Sequence, residues 1–153
     1  MLALGLLASG AEAVTTCRIL SGGGLNFGNY DTLAAAPNDS LATVLVQCTR
    51  EGGPQNVTVT LQLNQGIHGA SVQARRMANN APAGGYLNYG LYRDVGRSMV
   101  WGFNTGVDTE VRSLSIPNKD SRQATFTIYG RIPAQQDSPV GSYSDRVTAT
   151  VTP

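Results

Sequence analysis

One run constrains this chain more than any other. Asn56-Val-Thr-Val-Thr-Leu-Gln-Leu63 alternates apolar and polar side chains without a break. A period of two puts Val57, Val59, Leu61 and Leu63 on one face and Thr58, Thr60 and Gln62 on the other. That pattern suits a strand with one buried and one wet face, and no helix can sort it. Four further runs behave alike. Leu41 to Cys48 places Val44, Val46 and Cys48 together, and Tyr86 to Tyr92 is a strand rich in aromatics. Ala124 to Ile132 sets Phe126, Ile128 and Gly130 against Thr125, Thr127 and Tyr129. Tyr143 to Thr152 aligns Tyr143, Asp145, Val147, Ala149 and Val151. The one weak helical stretch, Thr32 to Ala36, runs straight into Pro37.

Turn signals separate these runs: Gly22-Gly23-Gly24, Pro37-Asn38-Asp39, Gly52-Gly53-Pro54, Gly84-Gly85, Pro117-Asn118 and Pro139-Val140-Gly141. Short strands at this spacing predict an all-β fold, and specifically a β-sandwich. Five clear runs and one or two marginal ones fall just short of the roughly seven strands a sandwich uses. No repeat or linker divides the chain, so a single domain is expected.

The chain carries 11 basic and 10 acidic residues, and its arginines are scattered. A nucleic-acid partner is therefore not expected, because such proteins concentrate positive charge. Only 14% of residues are charged, against about a quarter in typical domains.

The N-terminus decides how the two cysteines, Cys17 and Cys48, are read. Leu2 to Gly10 is apolar and uncharged, and Ala11-Glu12-Ala13 has the small-x-small form that signal peptidase accepts. Residues 1–13 therefore read as a signal peptide and residues 14–153 as the mature domain. No basic segment precedes the apolar run, so the start reads as truncated; a buried strand or short helix is the competing reading. The run is too short to span a bilayer, which takes about twenty apolar residues. Export implies an oxidising compartment and hence a Cys17–Cys48 disulfide; the alternative is two free buried thiols. A bridge would close a loop of about thirty residues, worth about 3–4 kcal/mol by chain entropy.

Candidates for chemistry are few. Asp31, Asp94 and Asp145 lie near aromatics, but nothing in their spacing brings two together as an acid–base pair. His68 sits in a glycine-flanked loop without a partner, and one histidine beside two cysteines is too little for a metal site. No nucleophile elbow accompanies any serine, and Gly22-Gly23-Gly24 lacks the Lys-Ser/Thr of a phosphate loop. Asn38-Asp-Ser40 and Asn56-Val-Thr58 match the glycosylation sequon. Trp101 and the tyrosines could form a sugar-binding surface, but core or interface packing is the default reading. No catalytic residue, metal or cofactor is expected.

Several segments, taken in order, resemble the spore coat protein U domain, the subunit family of archaic chaperone–usher pili. They are Cys17 followed by Leu25-Asn-Phe-Gly-Asn-Tyr-Asp31; Val46-Gln-Cys-Thr49; Val57-Thr-Val-Thr-Leu61 leading to Gly66; Arg75-Arg-Met77; Leu87-Asn-Tyr-Gly-Leu-Tyr-Arg-Asp94; Trp101-Gly102; Ile128-Tyr-Gly-Arg-Ile132; and Gly141-Ser-Tyr-Ser-Asp-Arg-Val-Thr148. The resemblance implies an immunoglobulin-like sandwich lacking its final strand. A periplasmic chaperone lends a strand to the resulting groove, an outer-membrane usher exchanges it, and a neighbouring subunit fills it in the assembled fibre. It implies export to the periplasm and then to the cell surface, in a pilus or spore coat that supports adhesion and biofilm. By the same likeness, Ile19 on the first strand and Val147, Ala149 and Val151 on the last are expected to line the groove.

Two departures from the family pattern bear on position in a fibre. Only Val14, Thr15 and Thr16 separate the expected cleavage site from Cys17, too few to donate a strand. The alternative expectation is thus a tip adhesin that accepts a strand, donates none, and binds glycans or surfaces through residues such as Trp101; retention of residues 1–16 as a donor, with Leu2, Leu4 and Leu6 alternating, ranks below it. The chain also ends Val151-Thr-Pro153 rather than on an aromatic, which leaves the chaperone contact undefined.

Overall fold

A computed structural model describes residues 14–153; the expected signal segment, 1–13, lies outside the described residues. Among the described residues nine strands follow one another: β1 (Thr15–Gly22), β2 (Asn38–Arg50), β3 (Gln55–Leu63), β4 (Arg75–Asn79), β5 (Tyr86–Tyr92), β6 (Glu110–Ile116), β7 (Ser121–Ile132), β8 (Tyr143–Ser144) and β9 (Ala149–Thr152). No helix occurs among the described residues, and Thr32 to Ala36 forms turns and bends instead.

The strands build two sheets. One has the order β1-β2-β7-β5-β4-β8 and the other β6-β3-β9. All their pairings are antiparallel. The inward faces read from the sequence meet between the sheets, where Val44, Val46, Val59, Leu61, Leu63, Phe126 and Ile128 form the core. Each such side chain is worth about 1.5–3 kcal/mol of burial. Cys17 lies directly opposite Cys48 in the β1–β2 ladder, and the two form a disulfide.

Three stretches differ from what the sequence pattern predicts. β4 is short and polar, and β8–β9 is one predicted strand interrupted at residues 145–148. On β6, Val111 faces solvent while Arg112 turns inward, its guanidinium 5.1 Å from the ring centre of buried Phe126 and paired with Glu110 at 2.8 Å. β6 is an edge strand, and an inward-pointing charge discourages another chain from adding to such an edge.

Candidate strand-accepting groove

The two strands that begin and end the described chain lie at sheet edges on the same side of the sandwich. Among the described residues β1 bonds only to β2 and β9 only to β3, so within them each leaves one row of backbone groups without a ladder partner. Their inward side chains differ from those of the central strands. Cys17 and Ile19 on β1, and Tyr143, Val147, Ala149 and Val151 at the other end, pack against the core yet stay half-buried. The corresponding side chains of β3 are closed off completely.

Between these edges runs a cleft of about 420 Å³ with Val44, Leu63, Leu91 and Ile128 along its floor, and with Val147 and Ala149 on one wall and Gly22 to Leu25 on the other. It continues into a second cleft of about 760 Å³ between residues 25–32 and 138–143. Leu25, Phe27, Met77 and Tyr143 border both. Val147 and Ala149 thus line the cleft itself, whereas Ile19 and Val151 stand beyond its end on the flanking strands.

Each wall is fastened by its own polar contacts. On the N-terminal side, Asn38 Nδ2 donates to the carbonyls of Phe27 and Asn29 (3.1 and 2.8 Å), and Ser40 Oγ donates to that of Asn26 (2.8 Å). Leu25 and Phe27 lie over Gly130 of β7, where an added Cβ would come within 2.6 Å of Leu25 and 2.8 Å of Phe27. Alanine at 130 is therefore expected to displace both and shift this wall. A changed donor-peptide affinity with little change in far-UV circular dichroism checks this.

On the C-terminal side, Asn64 exchanges contacts with Thr148: its N–H donates to the Thr148 carbonyl (3.1 Å), and its Oδ1 accepts from the Thr148 N–H (2.9 Å). Asp145 accepts from the N–H groups of Ile67 and His68 (3.1 and 3.3 Å) and from the hydroxyl of Tyr89. These contacts hold the chain at 145–148, where the predicted strand breaks as it passes from β8 in one sheet to β9 in the other. Gly66 fits here for a physical reason. Its φ is +81°, and a Cβ would stand 2.0 Å from Asp145 Oδ2. Gly66→Ala is expected to cost at least about 2 kcal/mol, measurable as a lower urea midpoint.

Burial first, and then the bond to Asp145, hold the Tyr89 hydroxyl well above the ordinary tyrosine value of 10.0. A proton held more tightly in the folded state stabilises the fold below the unfolded value and is lost at higher pH. Stability should therefore fall as pH rises past about 10. Tyr89→Phe should flatten that fall relative to the parent, and urea midpoints taken across the alkaline range check it.

Beneath the C-terminal wall sits Arg75, with none of its surface exposed. It donates to the carbonyls of Asn64 (2.9 and 2.7 Å), Leu63 (3.1 Å), Val72 (3.1 Å) and Trp101 (2.7 Å). Burial draws its pKa down to about 10, so it remains a cation at any physiological pH. Trp101 completes the hub. Its indole N–H donates to the Leu61 carbonyl and its backbone N–H to that of Leu91, both at 2.9 Å. Trp101 is wholly buried, which corrects the expectation that it presents an exposed surface for sugars.

The other sequence candidates are not brought together. Asp94 is spent within its own loop on Ser98 and Met99. Asp31 caps Leu33, and His68 touches Tyr86 and Arg76. Among the described residues no group of three metal-ligating side chains assembles.

The sequence profile of the Spore Coat Protein U domain matches residues 3–150. The chain belongs to the spore coat protein U domain family. Protein U of Myxococcus xanthus is 36% identical over 151 residues, covering 89% of this chain and 76% of that protein. Among solved structures, the chain resembles part of the CsuC–CsuE chaperone–tip adhesion subunit pre-assembly complex from archaic chaperone–usher Csu pili of Acinetobacter baumannii. The TM-score is 0.53 at 22% identity, covering 90% of this chain and 39% of that one. At that identity the likeness concerns the fold. Within this spore coat protein U domain, two of the segments that carried the resemblance border the groove, Leu25 to Asp31 on one wall and Gly141 to Val147 on the other, and Arg75 with Trp101 forms the hub beneath.

Proposed function

We propose that this chain is a structural, non-catalytic subunit of an exported surface fibre or coat, and that its sandwich is completed by a strand from another chain. In this reading a periplasmic chaperone first fills the groove, an outer-membrane usher mediates exchange, and a neighbouring subunit then takes the chaperone's place. Val147 and Ala149 line the seat, Ile19 and Val151 stand on the strands that flank it, and the assembly supports adhesion and biofilm. The observation that carries the reading is the row of inward, half-buried apolar side chains on β1 and β9, beside unpaired backbone edges and over an otherwise closed core. Strand addition uses such an edge, with backbone bonds giving affinity and alternate side chains filling pockets. Arg112, on the core-facing side of β6 and paired with Glu110, disfavours addition at the opposite edge.

The test is thermal unfolding of the purified, oxidised chain with and without an extended peptide of alternating Val and Ile. A ligand that binds only the folded state at a hundred times its Kd adds about 2.7 kcal/mol, a rise of several degrees for a domain of this size. No shift with any alternating peptide would sink the reading.

A second reading, a terminal subunit that grips surfaces or glycans, is favoured by the connection between β5 and β6. There Val95, Met99, Phe103 and Val107 are all exposed, Val95 and Val107 to 73%. Loss of binding to polystyrene or to a glycan array on Val95→Ser/Val107→Ser, with strand acceptance intact, would support it.

A further inference from the structure

The outward face of the six-stranded sheet carries a polar and aromatic strip that neither the core nor the groove uses. Arg75, Met77, Leu87 and Tyr89 are buried on the inward side of β4 and β5, so the alternate residues Arg76, Tyr86 and Asn88 point outward. Arg76 pairs across the ladder with Asn88 and stands diagonal to Tyr86. Its guanidinium lies 3.8 Å from the centre of the Tyr86 ring, well inside cation–π range. Its Nε donates to the His68 carbonyl at 2.7 Å. Stack and hydrogen bond together fix the plane of the guanidinium. The two terminal nitrogens are left over. Among the described residues they have no hydrogen-bond or ion-pair partner, and neither is buried. Asp145 is spent on Tyr89, Ile67 and His68, and Asp137, on the segment that flanks β5, forms no ion pair with it. Holding an arginine still costs rotamer freedom, and here the edge that suits a carboxylate stays unused.

The rest of the strip is offered as side chains only. Tyr86 is 49% exposed. The Asn88 amide is exposed and unpartnered among the described residues, while its backbone N–H and carbonyl are taken by Gln136 (2.7 and 2.9 Å). Further along, the Tyr92 ring covers Gly90, where an added Cβ would strike its hydroxyl. β5 lies between β4 and β7, so it has no open edge on which a peptide strand could add. We infer that this face binds an acidic polysaccharide. Arg76 grips the carboxylate of a uronate unit as a planar fork. Asn88, with donors and an acceptor on one amide, meets its hydroxyls. The Tyr86 ring supports the apolar side of the sugar. Charge complementarity selects an acidic sugar over a neutral one. The site is on the opposite side of the sheet from the groove and at the far end of β5 from the exposed β5–β6 connection, so it rests on neither reading above.

The experiment uses the full oxidised chain, titration calorimetry, and three probes: the tetramer of galacturonic acid, the same tetramer fully methyl-esterified, and tetraglutamate. The free acid should bind saturably and about tenfold tighter than its ester, as expected for the loss of one charged hydrogen-bonded contact. Arg76→Gln should bring the free acid down to the affinity of the ester. Its urea midpoint should stay close to the parent's, since the side chain points away from the core. Tyr86→Ala should weaken the acid and the ester alike. Tetraglutamate should bind more weakly than the sugar acid. Equal binding of tetraglutamate would reduce the site to a general anion contact and overturn the sugar assignment. No binding of the galacturonate tetramer, or the same affinity for the parent and Arg76→Gln, would overturn the site itself.

Discussion

Replacing Arg75 with methionine should cost at least about 4 kcal/mol, enough to leave a chain of ordinary stability partly unfolded at 37 °C. Methionine approximates the volume of the arginine stem, so the loss comes from hydrogen bonds rather than from a cavity. The guanidinium holds the carbonyls of Leu63, Asn64, Val72 and Trp101 at once. Each buried acceptor left without its donor costs about 1–3 kcal/mol. Removing a buried cation also removes its own desolvation cost, which is why the expected loss stays well below the sum of four such penalties. Arg75→Lys should recover only part, since an ammonium cannot present donors in a planar fork. The measurement is equilibrium urea unfolding of parent, Arg75→Met and Arg75→Lys. A methionine variant within 1 kcal/mol of the parent would show that these carbonyls find water or other donors, and the hub would not be what holds the C-terminal wall.

Much of the sandwich is legible in the sequence, because alternation and burial are the same fact seen twice. β5 spans the predicted run, and β2, β3 and β7 extend theirs by a few residues at one or both ends. Where the reading failed, another interaction outweighed the pattern. β6 hides because its apolar Val111 faces outward and its charged Arg112 faces inward, as befits an edge strand that must refuse partners. β4 hides because Arg75, its first residue, is polar by composition and core by position, and arginine is almost never fully buried unless paired. The last predicted strand breaks in two because its halves join different sheets, β8 beside β4 and β9 beside β3, and no alternation pattern records a crossing between sheets. Trp101 shows the limit most clearly. An indole in a glycine-bounded loop fits either a sugar platform or a core plug, and only the carbonyls of Leu61 and Leu91 waiting for its two N–H groups decide between them.

Removing the disulfide, by Cys17→Ala with Cys48→Ala, should lower stability by about 3–4 kcal/mol, and the loss should concentrate at β1. The bridge spans a sequence separation of 31, and closing a loop of that length restricts the unfolded chain by about that amount in the chain-entropy account. A second consequence follows from position. Among the described residues β1 is bonded along one side only, its inward side chains are half-buried, and a bulge interrupts its ladder between Ile19 and Ser21. Backbone bonds to β2 and the cross-strand bridge are thus the main restraints on this edge. Without the bridge β1 should open locally well below the cost of global unfolding, as weakly packed segments do. Amide exchange should then quicken over Thr15 to Gly22 while the β2–β7 ladder stays protected. The same opening weakens one flank of the groove, so the alternating peptide should bind the reduced or alanine-substituted chain less tightly than the oxidised one. Uniform acceleration across every strand would mean that the bridge acts only through the unfolded state. Unchanged peptide affinity would mean that β9, with its partner β3, seats the incoming strand by itself.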